Sequence, residues 1–242
     1  MPLSLQDARV LVVGGSSGIG EAAARQFAEQ GARVTIASRS ADKLAGALGR
    51  LPAGVDRAVL DVSDETAVAA FFAAGAPWQH VVLAGSATQT GTVRGPARLP
   101  LDAARASMDN KFWGAYHVAR QARITAGGSL TFVSGVYSQR PQPAAVLQGA
   151  LNAAVEALAR GLALELAPSV RVNTVSPSTT VTPLWDKLGP AGRDGKFDAM
   201  RARLPLQRVA DPADIAQAIV YLATNAFSTG TTLLVDGGDA LA

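Results

Sequence analysis

Two short stretches of this 242-residue chain carry residue types and spacings suited to chemistry. The first is Gly14-Gly15-Ser16-Ser17-Gly18-Ile19-Gly20, set between the apolar run Val10-Leu11-Val12-Val13 and the helix-forming Glu21-Ala22-Ala23-Ala24-Arg25-Gln26-Phe27. A strand, a glycine turn and a helix start in that order make an anion cradle, because the first helical N–H groups and the positive dipole end face the turn. Gly14 suits the tight turn, Gly18 lets the backbone approach a phosphate, and Gly20 lets the helix pack against the strand. In that setting the G-x-x-x-G-x-G spacing points to a dinucleotide pyrophosphate held by Gly14, Ser16, Ser17, Gly18, Ile19 and Gly20. The second stretch is Ser38-Arg39-Ser40, at the end of the next apolar run, with no acid before Asp42. An acid there would accept from an adenosine 2′-hydroxyl. Arg39 can instead pair with a 2′-phosphate, with Ser16, Ser38 and Ser40 adding hydrogen bonds. The expected cofactor is therefore NADP(H) in preference to NAD(H).

These residues need a scaffold, and the chain alternates strand and helix almost from end to end. Strands are expected at 33–38, 57–62, 79–84, 129–134, 170–175 and 231–235, after the first one at 10–13. Helices are expected from Asp64 to Ala74, Asp102 to Arg123, Ala145 to Ala167, and after the N-cap, first-turn proline and acid of Asp211-Pro212-Ala213-Asp214. Regular alternation implies an α/β fold, a parallel sheet with helices on both faces. One domain over 1–242 is expected, with one long irregular stretch, 178–205, as a candidate substrate lid. Leu184, Trp185, Leu188, Phe197 and Met200 give that stretch an apolar character, which suggests a partly apolar small-molecule substrate, although such residues also serve simply to cover a core.

Composition narrows the function further. Hydrophobic residues make up 48% of the chain, enough for a substantial core, yet no run approaches the roughly 18 apolar residues of a membrane span. The 22 Lys and Arg residues are interleaved with 19 acids, which reads as a solvated surface rather than a nucleic-acid face. Neither a nucleic acid nor a membrane is an expected partner. No cysteine and only two histidines argue against thiolate chemistry and a metal site. No basic, apolar leader opens the chain, so the cytoplasm is the expected location.

Taken in order, the glycine loop, Asp61-Val62, Ala84-Gly85, Asn110, Ser134-Gly135, Arg171-Val172-Asn173 with Ser176-Pro177, and Asp236-Gly237-Gly238 resemble the short-chain dehydrogenase/reductase family. The resemblance spans essentially the whole chain. It implies a single Rossmann-type, doubly wound sheet of about seven parallel strands, a nicotinamide cofactor and a homo-oligomer, either tetramer or dimer. It also implies that Asp61 and Val62 border the adenine, Ala84 and Gly85 the ribose side, and the segment holding Pro177, Thr180 and Thr182 the nicotinamide. Val13 stands where the family often has Thr, and Ser178 where it often has Gly.

The departure lies in the chemistry. Reducing a carbonyl by hydride transfer leaves an alkoxide that must gain a proton. The family uses a tyrosine for this, with a lysine one helical turn later. Here the corresponding helix reads Leu147-Gln148-Gly149-Ala150-Leu151-Asn152, with neither residue. Counting forward from Ser134 reaches Leu147 and Leu151; counting back from Ala153-Ala154-Val155-Glu156-Ala157-Leu158 reaches Gln148 and Asn152. The second register is preferred, since an extra residue fits the Pro141/Pro143 loop more easily than the helix. What the family pattern retains is Asn110, at a helix kink with a relay water, and Ser134, which would polarise the substrate carbonyl. Gln148 and Asn152 can hydrogen-bond a substrate or ribose but cannot exchange a proton near neutral pH. Tyr137 is the one nearby phenol, while His80 and His117 read as packed residues. Losing acid–base help costs about 10²–10⁴ in rate and leaves cofactor binding intact. Three readings follow: an oxidoreductase acting on a small carbonyl or alcohol with a non-standard proton donor, a cofactor-binding sensor, or a non-catalytic partner subunit.

Overall fold

The computed structural model describes residues 3–85 and 88–242. Its strands are β1 (Arg9–Val13), β2 (Arg33–Ser38), β3 (Asp56–Val59), β4 (Trp78–Leu83), β5 (Ile124–Val133), β6 (Val170–Pro177) and β7 (Thr232–Val235). Its helices are α1 (Gly18–Glu29), α2 (Ala41–Leu48), α3 (Glu65–Ala74), α4 (Leu101–Met108), α5 (Gly114–Gln121), α6 (Val146–Glu165), α7 (Gly189–Arg203) and α8 (Pro212–Thr224). The strands form one sheet in the order β3-β2-β1-β4-β5-β6-β7, every pair parallel.

Strand β1 shows why both faces must be covered. Val10 and Val12 enter one core with Ala23, Ala24 and Phe27 of α1, Leu44 and Ala47 of α2, and Ile215 and Ile219 of α8. Leu11 and Val13 enter a second core with Val68 and Phe72 of α3, Val118 of α5, and Val155 and Ala159 of α6. Successive side chains of a strand point to opposite faces, so an unbroken apolar run is the signature of a sheet buried on both sides. The order reverses between β1 and β4, where consecutive crossovers diverge to opposite edges. A crevice opens there at the carboxyl ends of the strands.

Three expectations change. Helix α2 was not anticipated between the second and third strands; Ser40 caps it by accepting from the Lys43 N–H at 3.3 Å, and Leu44 and Ala47 anchor it. The helix expected from Asp102 to Arg123 is divided by a π-helical turn over Asp109–Trp113. The stretch expected to be irregular over 178–205 is largely helical, with a 3₁₀ turn at Pro183–Leu188 followed by α7. Gly189, Pro190, Gly192 and Gly195 weaken its local helical signal, but Phe197, Met200 and Leu204 recur at helical spacing and bury together with Val209. Packing of one apolar face supplies what propensity lacks. Helix α8 begins as expected, with Asp211 and Asp214 in a capping box and Pro212 in the first turn.

Candidate active site

At the crevice lies a cavity of about 510 Å³ that runs from the end of β2, over the glycine turn, to the start of α6. The end at the glycine turn is made of backbone. Gly14 and Gly18 have φ of +82° and +56°, a region that residues with a Cβ seldom enter. A Cβ on Gly14 would lie 2.2 Å from the Gly85 nitrogen, and one on Gly20 would lie 2.2 Å from the Gly14 carbonyl oxygen. The turn is thus folded against β4 on one side and α1 on the other. The Ser17 N-cap gives α1 no side-chain hydrogen bond, so the first N–H groups of the helix are left for another acceptor. Beyond the turn, Ser38, Arg39, Ser40 and Lys43 line the cavity, with Arg39 and Lys43 exposed. Lys43 escaped sequence reading because its place in a capped first helical turn depends on the unanticipated α2.

The opposite end is made of side chains from separate elements. Gln148 and Asn152 of α6 line it, while Leu151 is buried away from it in the helix core. Asn152 Nδ2 donates to the Gly135 carbonyl at 2.9 Å; its Oδ1 and Gln148 Oε1 are buried without a partner among the described residues. Ser134 also lines the cavity, but its hydroxyl donates to Glu156 Oε1 at 2.7 Å, and Ser138 donates to the same oxygen at 2.7 Å. Asn110 sits in the π turn and donates to the Ala106 carbonyl at 2.8 Å. Directly after it, Lys111 is 6% exposed and reaches the Ser134 and Val133 carbonyls at 3.1 and 3.4 Å. Burial lowers its ammonium to about 8, against the pull of Glu156.

Of the residues singled out from sequence, Gly14, Ser16, Ser17, Gly18, Ile19, Ser38, Arg39, Ser40, Val62, Ala84 and Gly85 line this cavity. So do Asn110, Ser134, Gln148, Asn152, Pro177, Thr180 and Thr182. Gly20 and Asp61 do not. Gly20 packs behind the turn, and the Asp61 carboxylate accepts from the Ser63 N–H and hydroxyl at 3.0 and 2.7 Å. Sequence reasoning missed Lys111 and Glu156, since a lone lysine or glutamate in a helix ordinarily faces solvent.

Leu184 and Trp185 line the cavity, and the Trp185 indole donates to the Thr180 carbonyl at 2.9 Å. Of the apolar residues of 178–205, Phe197 and Met200 follow the core-covering alternative: they are buried in a small core with Leu204 and Val209. Tyr137 lines the cavity, its phenol pushed above the ordinary value by burial and then by Asp239, with Arg203 and Arg140 opposing. His80 is packed beside Ser129 Oγ at 2.9 Å and held down to about 4 by burial and Arg171. No helix among the described residues is long and apolar enough to cross a membrane.

The residues at both ends suit a nicotinamide dinucleotide: a glycine-rich turn at the start of α1 and exposed cations at one end, and amide oxygens without a partner among the described residues at the other. Comparison with known proteins points the same way. Residues 13–239 match the family model described as enoyl-(acyl carrier protein) reductase. The chain is 32% identical to the short-chain dehydrogenase/reductase ATR9 of Stachybotrys chlorohalonatus, covering 95% of each protein. It is 31% identical to the D-erythrulose reductase of Gallus gallus, over 98% of this chain and 97% of that one. A crystal structure described as a small-chain dehydrogenase in complex with NADPH superposes with a TM-score of 0.80 at 31% identity, covering 98% and 100% of the two chains.

Proposed function

This chain belongs to the short-chain dehydrogenase/reductase family and is an oxidoreductase of that type, and on that premise we propose that it uses NADP(H) in preference to NAD(H) on a small, partly apolar carbonyl or alcohol. One observation carries the reading: a single cavity joins the exposed cations Arg39 and Lys43, the glycine cradle and the amides Gln148 and Asn152. When bound, the reduced nicotinamide supplies a hydride. The N–H groups from Ser16 to Ile19 would hold the pyrophosphate, and Arg39, Lys43, Ser38 and Ser40 would hold the 2′-phosphate. Val62 and Asp61 would border the adenine, Ala84 and Gly85 the ribose side, and Pro177, Thr180 and Thr182 the nicotinamide. Gln148 Oε1 and Asn152 Oδ1 accept from ribose or substrate hydroxyls, and Asn110 and Ser134 complete the reacting end.

The domain is single, with 178–205 as its lid and Leu184 and Trp185 as the apolar cover. Fully exposed Phe227 and 85%-exposed Leu164 supply apolar contacts for a homo-oligomer. The absence of tyrosine and lysine from α6 favours a second reading, a NADP(H)-binding sensor or non-catalytic partner. Titration calorimetry with NADPH and NADH, followed by NADPH oxidation against a panel of ketones and aldehydes, separates the two. Tighter NADPH binding with turnover is expected. Equal affinities would end the NADP(H) preference, and binding without turnover would leave the sensor.

A further inference from the structure

Away from Arg39 and Lys43, the cavity wall is poor in groups that exchange protons. Gln148 and Asn152 are amides, the Ser134 hydroxyl is held by Glu156, and the Asn110 amide is held by the Ala106 carbonyl. Among the described residues, Lys111 and Tyr137 are the two titratable groups lining that end. Building on the oxidoreductase reading above, we propose that Lys111 is the proton donor of this site, passing a proton from Nζ to the oxygen of a carbonyl substrate.

The geometry carries this assignment. The π turn carries Lys111 between α4 and α5, where its side chain runs inward to the carboxyl end of β5. Its Nζ is held there by two neutral carbonyls, at 3.1 and 3.4 Å, rather than by a direct ion pair. Neutral acceptors fix the amine in place without locking its charge. From α6 the charged group facing it is Glu156; β5 presents carbonyls; the turn after β5 presents Ser138 and the Tyr137 phenol. With its ammonium brought to about 8, both forms of the amine are populated near neutral pH, which is where acid catalysis is most efficient. Tyr137 is moved the other way, toward a weaker acid.

The proton accounting is simple. Hydride addition, with the nicotinamide as the hydride source, turns the carbonyl π pair into a lone pair on oxygen. That pair takes a proton from Nζ, the N–H bonding electrons stay on nitrogen, and solvent from the cavity mouth recharges the neutral amine. In the oxidative direction the neutral amine takes the hydroxyl proton.

Two variants and one direct titration test this. Lys111→Met removes the amine at similar length, and Lys111→Arg keeps the charge but cannot release a proton. Both are expected to bind NADPH as the starting protein does, by fluorescence titration, and to lose about 10²–10⁴ in kcat. The starting protein's kcat is expected to fall as pH rises through about 8, and the residual rate of Lys111→Met is expected to stay flat there. In the cofactor-free protein, ¹³Cε/¹⁵Nζ-lysine NMR should show one amine titrating near 8, absent from Lys111→Met.

An amine that titrates with the other lysines overturns the proposal. So does undiminished turnover in Lys111→Arg, while loss in Tyr137→Phe with retention in Lys111→Met transfers the role to the phenol. If the starting protein turns over none of the panel, the oxidoreductase reading fails and proton donation fails with it. An active starting protein with active Lys111 variants defeats the proposal alone.

Discussion

The two ends of the cavity are built from different materials, and this decides how each responds to change. The glycine turn is backbone folded on backbone: Gly14 lies against Gly85, and Gly20 against Gly14, with no room for one added carbon. The far end is assembled from Lys111, Ser134, Gln148, Asn152 and Glu156, whose hydrogen bonds cross between the π turn, β5 and α6. The first end is rigid because its alternatives are sterically forbidden. The second depends on polar groups buried with partial compensation, so its state depends on pH and on which partner is present.

The largest expected effect comes from Gly14→Ala. The new methyl would meet the Gly85 nitrogen at 2.2 Å while its residue is held at φ +82°. The left-handed conformation and the overlap together are expected to cost about 3–5 kcal/mol, a fall of roughly 10 °C in Tm. NADPH binding should disappear as well. Gly18→Ala is the sharper half of the comparison, because its Cβ meets the Thr182 side chain at 2.9 Å rather than backbone. Thr182 can turn aside, so a smaller loss of stability is expected. Calorimetric melting with and without NADPH checks both, and a Gly14→Ala protein that melts and binds normally would mean the turn is not built as described.

A smaller effect should appear at the other end as a pH dependence of stability. The Lys111 amine is lowered from 10.5 to about 8 in the folded chain, so folding favours the neutral form. Below pH 8 the penalty for burying the charge is fully present. Between pH 8 and 10.5 the unfolded chain binds more protons than the folded one, so stability rises with pH. Relative to Lys111→Met, the starting protein should therefore gain up to about 3 kcal/mol across that window. Urea unfolding of both proteins at about pH 7.5 and about pH 10.5 measures the difference. A constant gap would show that the amine's charge is not suppressed by the fold.

The smallest effect belongs to Arg39→Ala, at the exposed margin of the glycine-turn end of the cavity. A charge-assisted hydrogen bond to a 2′-phosphate is worth about 1.5 kcal/mol at an open site, so the NADPH-to-NADH affinity ratio should narrow about tenfold. Lys43 stands beside it and should retain part of the preference. An unchanged ratio would remove Arg39 from the site.

The same contrast explains how far the sequence could be read. The Val10–Val13 run, the glycine spacing after it and the Asp211-Pro212 helix start are local instructions, each satisfied by neighbours within a few residues. The glycine turn, the parallel alternation and the late helix are therefore legible in the sequence alone. Helix α2 was missed because Gly46 and Gly49 blur a weak local signal that burial of Leu44 and Ala47 overrides. Helix α7 was missed for the same reason.

What the sequence by itself determined is the fold class and the glycine turn, because backbone conformation obeys rules that act between adjacent residues. What the tertiary structure alone decided is the opposite end of the cavity. Ser134 meets Glu156 across 22 positions, and Lys111 meets the Ser134 carbonyl across 23. No local pattern encodes those meetings. They follow from the π turn that redirects one helix and from the sheet register that brings β5 beneath α6, and only there does an ordinary lysine become a buried, titratable amine.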